Sequence, residues 1–332
     1  MEKRKVTLFT IQYGDLSFDE ICSKASEFGY DGVEIGCCEN HLDIGSFDNN
    51  YCEKIKSTLS KYNLECYAIS AHPLSQCICD RIDERHRGLV SSEVWGDGDA
   101  EGIRQRAAQE LIKIGEAAVA LGVKTVNGFT GSSIWHLLYS FPPVTENMIE
   151  DGYKDFAQRF VPILDAYQKM GIKFALEAHP TEIAFDIASA EKTLEAIDYH
   201  PAFGFNYDPS HFGYQGVDYV KFIEKFKDRI FHVHMKDVWW ADKGSEAGVF
   251  GGHINFGDRR RFWDFRSVGR GKIDFDAIIR ALNYANYQGP LSVEWEDSGM
   301  NRMYGAKESC EYVKKVDFEP SNLAFDSVFG ND

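Results

Sequence analysis

Residues 172–211 read IKFALEAHPTEIAFDIASAEKTLEAIDYHPAFGFNYDPSH. An apolar run at 172–177 ends in a carboxylate, an amphipathic stretch follows at 189–197, and a second apolar run occupies 203–207. Strand, helix and strand in that order form one βα repeat. The same rhythm extends in both directions. Strands are predicted at 6–9, 32–35, 66–71, 125–129, 172–177, 203–207, 230–235 and 291–295. Helices are predicted at 18–28, 51–62, 102–121, 149–170, 189–197, 217–226, 275–285 and 306–316. Several helices run into a glycine, as at Phe28-Gly29, Leu121-Gly122 and Met170-Gly171, the residue that best takes a left-handed cap.

Eight alternations predict an α/β chain whose parallel strands close into a (β/α)8 barrel. An open doubly wound sheet would need a glycine-rich phosphate turn after an early strand. No GxGxxG follows 6–9 and no Walker lysine motif occurs, so no nucleotide cofactor is expected. No low-complexity linker divides residues 1–332, which reads as one domain.

Composition narrows the function. The 332 residues are 44% hydrophobic and 14% aromatic, enough for a large core, and 52 acids against 36 bases leave a net charge of −16. Nucleic acids and anionic membranes are disfavoured as partners, because both are bound through a basic surface. The eight cysteines lack paired CxxC spacing and read as free thiols of a reducing compartment. No apolar stretch approaches the ~20 residues of a membrane span and no signal-peptide core is visible, so a soluble, cytoplasmic protein is expected.

Two connections are long. Residues 72–101, after strand three, carry a charged stretch and then Trp95. Residues 236–274, after strand seven, interleave Trp239, Trp240, Phe250, Phe256, Phe262, Trp263 and Phe265 with Arg259, Arg260, Arg261, Arg266 and Arg270. Loops of this length are usually lids or binding surfaces. The second is expected to be a lid or a partner-docking segment, and its aromatics favour a substrate with a flat apolar portion.

The polar residues that matter stand at strand ends. Strand five ends in Glu177, followed by His179; strand six leads into Asp208 and His211; strand seven carries His232, His234, Lys236 and Asp237; strand eight carries Glu294, Glu296 and Asp297. Period-two alternation puts His232 with His234, and Glu294 with Glu296, on one face. A carboxylate at a buried strand end is unfavourable unless paired or bound to a cation. Four successive strands doing this predict one divalent ion, with Mn²⁺ favoured by the hard ligands and Mg²⁺, Co²⁺ or Zn²⁺ compatible.

The strings LEAHP (176–180), DPSH (208–211), HVHMKD (232–237) and VEWED (293–297) resemble the xylose-isomerase-like superfamily of TIM-barrel sugar isomerases and epimerases. The similarity extends to VTLFT (6–10), FGYDGVEI (28–35) and FTGSSIWHLLYSFPP (129–143). It implies Glu177, Asp208, His234 and Glu294 as metal ligands, with His232 one layer deeper. FTGSSIWH, GGHINFGDRRRFWDFRSVGRG (251–271) and DFEPSNLAFD (317–326) further resemble a subgroup acting on glycosides or keto-sugars. That subgroup includes the large subunits of bacterial C-glycoside deglycosidases, which cleave 3-oxo-glucosides, and epimerases working through the same ketone.

The chemistry implied is removal of a proton beside a ketone, with the metal as Lewis acid and a base tuned near neutrality. His136 is the first candidate base, with His179 and His211 competing and Lys236 polarising an oxygen. Trp135, Glu296 and Arg270 are expected to touch substrate. Expulsion of a β group, cleaving a 3-oxo-C-glycoside, is the preferred outcome. Epimerisation or isomerisation of a sugar or sugar phosphate is the alternative. The partner expected is a small sugar or keto-glycoside, with a small β-rich subunit or further copies of the chain as protein partners. A multi-zinc phosphodiesterase of the endonuclease-IV type is the remote reading: Glu34 and His72 offer it extra ligands, but the charge is wrong for DNA.

Overall fold

The structure is a computed structural model that describes residues 3–251, 253–321 and 330. Ten strands are present among them: β1 (Val6–Phe9), β2 (Gly32–Gly36), β3 (Glu65–Ser70), β4 (Thr125–Gly128), β5 (Lys173–Glu177), β6 (Phe203–Tyr207), β7 (Ile230–Met235), β8 (Asp237–Trp240), β9 (Trp263–Arg266) and β10 (Leu291–Val293). Eight of them close a parallel barrel in the order β1, β10, β7, β6, β5, β4, β3, β2, and β8 pairs separately with β9. Closure fixes which polar residues become neighbours. Glu177 lies in register with Asn206, Asn206 with His232, and His234 with Ser292.

The helices fall where the periodicity puts them, and their ends are chemically marked. Ser17 and Glu20 form a reciprocal capping box on the helix Phe18–Phe28. Gly29, Gly122 and Gly171 sit at φ of 89°, 78° and 70°, left-handed values that disfavour a side chain with a Cβ. The last helix, Arg302–Val316, starts ahead of the periodic stretch because the Asn301 side chain accepts the Met303 and Tyr304 N–H groups.

Strand alternation divides the barrel. Outward residues of β5 and β6 meet the surrounding helices in an aromatic layer: Phe174 lies 5.3 Å from Phe160, Phe203 5.9 Å from Phe156, and Phe205 5.2 Å from Phe222, ring to ring. All six are fully buried. Inward residues are polar to an unusual degree, with Glu34, Ser70, Asn127, Asn206, His232, His234 and Ser292 all at 0–1% exposure.

Both long connections contain regular structure. Residues after β3 form short helices at His72–Gln76 and Ser92–Trp95. The segment after β7 is a hairpin, with Val238 opposite Phe265 and Trp240 opposite Trp263. Opposite residues share a face, so these four form one apolar side. That side packs down: Trp263 stacks on Tyr214 at 3.8 Å, and Phe265 meets His211 edge-on at 5.5 Å. Asp237 fixes the base of the hairpin by accepting the backbone N–H groups of Val238, Gly269, Gly271 and Ile273. A Cβ on Gly271 would lie 2.2 Å from Asp237 Oδ1, so the closeness of that return loop requires glycine. Of the C-terminal string 317–326, residues 322–326 lie outside the described residues.

Truncating Phe174 leaves a cavity where helix and barrel meet, and large-to-small changes at such sites cost about 3–5 kcal/mol. Phe174→Ala should therefore lose that much in urea unfolding, with the denaturant slope unchanged.

Candidate metal centre

Glu177 closes β5, Asp208 follows β6, His234 lies on β7 and Glu294 follows β10. One ligand atom from each falls within 4.8 Å of the others, and all four residues are buried. His234 Nδ1 stands 3.1 Å from Glu177 Oε2 and 2.8 Å from Glu294 Oε2. Asp208 Oδ2 and Glu294 Oε2 are buried with no aligned hydrogen-bond donor. Buried carboxylate oxygens gathered around imidazole nitrogens, two of them without an aligned donor, suit a divalent cation, since buried polar atoms otherwise find well-aligned partners. The donor set, three carboxylates and one imidazole, fits Mn²⁺, Co²⁺ or Zn²⁺ and tolerates Mg²⁺.

A second tier supports the first. The Glu34 carboxylate, fully buried on β2, accepts His234 Nε2–H at 2.9 Å, His232 Nε2–H at 2.9 Å, Ser292 Oγ–H at 2.8 Å and Asn127 Nδ2–H at 2.8 Å. Donation from Nε2 leaves His234 Nδ1 as the atom aimed at the cluster, the carboxylate–histidine arrangement found behind many metal-bound imidazoles. Glu34, His232 and His234 also group closely enough to hold an ion. The four donors already on Glu34 make it a support and not a ligand. Glu177 is braced in the same way, with Oε2 taking Asn206 Nδ2–H at 3.1 Å and contacting His72 Nε2 at 3.0 Å.

Electrostatics follow from this packing. Burial pushes the Glu177 carboxyl up, and the charge of His234 with hydrogen bonds from His211, His234 and His72 more than reverses that, holding it well below the usual range. Glu34 is likewise depressed, burial being outweighed by His234 and His232. Lys236, despite burial, is held well above the ordinary lysine value by Glu294, Glu296, Asp208 and Glu177. Its Nζ lies 3.1 Å from both Glu294 Oε1 and Glu296 Oε2, and 4.2 Å from the centre of the Phe265 ring. His211 Nε2 is 3.0 Å from Glu177 Oε1 and 3.2 Å from Asp208 Oδ2, and its ring meets His179 at 4.1 Å.

The structure therefore gathers Glu177, Asp208, His234, Glu294, His211, His179, Lys236 and Glu296 at one end of the barrel. It does not bring His136 or Arg270 to them. His136 is exposed in the short turn Trp135–Leu137 and has no hydrogen-bond or ion-pair partner among the described residues, because Trp135 turns in against Phe185 at 5.2 Å. Arg270 is exposed and pairs with Glu308 through two contacts of 2.6 and 2.9 Å. Other arginines expected to meet substrate or partner are engaged within the segment: Arg260 with Asp258, Arg266 with Asp264, and Arg261 with the Ile254 and Trp263 carbonyls. Sequence reasoning missed Asn127, Asn206 and Ser292, though a lone polar residue inside an otherwise apolar strand is a readable signal.

A family profile described as xylose isomerase-like TIM barrel matches residues 22–316. An inosose dehydratase of Mesomycoplasma hyopneumoniae is 26% identical over 315 residues, covering 91% of this chain and 90% of the relative. Among solved structures, apo 3-keto-D-glucoside 4-epimerase YcjR from E. coli superposes with a TM-score of 0.64 at 16% identity, covering 94% of this chain and 100% of the other. An IOLI protein with a bound zinc atom gives 0.62 at 18%, covering 94% and 96%. At those identities the structural likeness is one of fold.

Protein purified without chelator is expected to carry one divalent ion per chain by elemental analysis, and Glu177→Gln and His234→Ala should lose it. Glu34→Gln should keep the fold and weaken the ion ~10–100-fold in chelator competition, the usual effect of removing a ligand's supporting partner. Full occupancy in all three variants would place the ion elsewhere.

Proposed function

The chain belongs to the xylose isomerase-like TIM-barrel family, and on that premise we propose that it removes a proton from the carbon beside a ketone in a sugar or glycoside. The reaction we assign is β-elimination from a 3-oxo-C-glycoside, with a divalent ion required. The observation that carries the reading is the cluster of Glu177, Asp208, His234 and Glu294 with His211 and Lys236 against it. The names of the relatives point the same way: a dehydratase eliminates, and a 3-keto-glucoside epimerase works on a keto-sugar.

Glu177, Asp208, His234 and Glu294 would hold the ion, which when bound supplies Lewis-acid stabilisation of negative charge on a ketone oxygen. Lys236, fixed between Glu294 and Glu296, sets a second positive charge at the same edge and can donate to a substrate oxygen. His211 is the chain's proton-transfer group in this reading: its Nε2 lies 3.0 Å from Glu177 Oε1 and 3.2 Å from Asp208 Oδ2. Burial would lower its imidazole, but those carboxylates outweigh burial and raise it to about 9. That elevation would fall once both carboxylates were engaged by a cation, and Nδ1 would be free to accept the proton. His179 packs against it and limits its rotation. In the elimination, the electrons of the C–H bond form the new C=C bond. The bond to the aglycone breaks with its electron pair on the aglycone carbon, which takes up a proton. The hairpin β8–β9, fixed by Asp237, serves as a wall that keeps water from this space.

Epimerisation through the same proton abstraction is the second reading, favoured by the full-length likeness to the keto-glucoside epimerase fold. The phosphodiesterase reading loses support, because Glu34 is saturated by four donors and His72 is committed to Glu177 and Ser70.

Incubation of metal-loaded protein with an aryl 3-oxo-C-glucoside should release free aglycone, followed by chromatography. His211→Ala should lose ~10²–10⁴ of the rate, the usual contribution of a general base, and His136→Ala should keep it. Recovery of an epimerised keto-glycoside with no aglycone would decide for the second reading. Deleting residues 244–258 from the wall should raise KM without changing the size of the assembly in light scattering.

A further inference from the structure

The loops after β4 and β5, with the start of the helix Glu146–Met170, line a second space at the same end of the barrel as the metal cluster. It is a cavity of about 180 Å³ lined chiefly by Ile134, Trp135, Leu137, Tyr153, Ile183 and Phe185. These loops also carry residues of the metal site. Glu182 N–H donates to the His179 carbonyl at 3.0 Å. Gln215 Nε2–H donates both to the Phe185 carbonyl and to the His211 carbonyl. Gln215 thus ties the backbone of Phe185, whose ring lines the cavity, to the backbone of His211.

Two of its polar residues, Glu182 and Ser132, are engaged by the loops themselves. The Glu182 carboxylate takes the N–H groups of Thr130 and Gly131 at 2.7 and 2.6 Å and the Thr181 hydroxyl at 3.1 Å. Ser132 Oγ accepts the Ile134 N–H. Burial pushes the Glu182 carboxyl up to about 8, so near neutral pH this wall carries little charge. Most of the lining is apolar or aromatic, with the Tyr153 hydroxyl and the Trp135 indole N–H as its free polar tips among the described residues, which suits a flat, largely apolar occupant. Its size is informative, because an apolar protein cavity of ~150 Å³ is known to take benzene. Trp135 and Phe185 meet edge to face at 5.2 Å and 77°, leaving flat aromatic surface for a third ring. On the packed face of the hairpin, Trp263 and Phe265 do not offer this: both are 7% exposed and engaged with Tyr214, His211 and each other.

We propose that this cavity is a subsite for a single aromatic ring carried by the substrate, with Trp135 as its principal contact. The inference rests on the keto-glycoside reading and specifies its substrate as an aryl glycoside. The sugar lies over the metal cluster and the aryl group enters between the β4 and β5 loops.

The test uses the full-length, metal-loaded protein and two unreactive probes, phenyl and methyl β-D-glucopyranoside, which lack the ketone. Calorimetry should show the phenyl compound binding roughly tenfold tighter or more, the expected scale for burying an aromatic ring. Trp135→Ala should abolish that preference and Trp135→Phe should retain much of it. Leu138→Trp, at a lining position that is 41% exposed and so tolerant of a larger side chain, should weaken the phenyl compound and leave the methyl one unchanged. Equal affinity of the two probes for the wild type, or equal weakening of both by Trp135→Ala, overturns the subsite. Release of aglycone from the 3-oxo-glycoside without any phenyl preference would leave the reaction standing and remove the cavity's role. A phenyl preference without release would do the reverse.

Discussion

A carboxylate buried at the bottom of a barrel mouth, with nothing but hydrogen bonds to keep it there, is the constraint on which this site depends. Glu34 is wholly buried. Removing such a charge from water is tolerable only when every lone pair is met, and here four donors from β4, β7 and β10 meet them. His234 is therefore held from below, and its remaining nitrogen has one direction in which to point. The cluster above inherits its geometry from this lower tier, as the supporting shell of a metal site generally sets the first.

The barrel makes this possible because its interior is filled by side chains in layers. In most parallel strands those layers are apolar. Here the lower polar layer is neutral or paired, and the upper one concentrates charge: Glu177, Asp208 and Glu294 are set against Lys236 and the imidazoles of His234 and His211. A cation bound among the carboxylates would compete with those imidazole protons, so the groups that hold the cluster together without it are the ones it would displace. The outer aromatic layer around Phe174, Phe203 and Phe205 stabilises the fold that this interior strains.

Walls, in contrast, come from the connections. Asp237 turns the end of β7 into the base of a hairpin by gathering four backbone N–H groups. The hairpin then covers His211 with Phe265. Across the mouth, the loop after β4 is tied to the loop after β5 through Glu182. One side is closed by packed rings and the other keeps an open apolar space. The mouth is asymmetric, and a substrate with a polar half and a flat apolar half would bind in one orientation.

Much of this was legible in the chain. Eight alternations of strand and helix, with glycine after several helices, were enough to predict the barrel; polar residues at four strand ends pointed to a divalent ion, and likeness to the superfamily to Glu177, Asp208, His234 and Glu294. These are local signals, written within a few residues of each element. The role of Glu34 was not legible, because its partners lie 93 to 258 positions away and meet only when the strands close in register. Nor was the outward turn of His136, which is set by Trp135 finding Phe185. Equally hidden was the pairing that puts Val238, Trp240, Trp263 and Phe265 on one packed face, while Phe250 and Phe256 of the same segment stay exposed. Sequence by itself determined which residues stand on the inner face of each strand. Only the tertiary structure decided which of them share a proton, which converge on one point and which are turned away, because those outcomes depend on the register and closure of the barrel, not on any single strand.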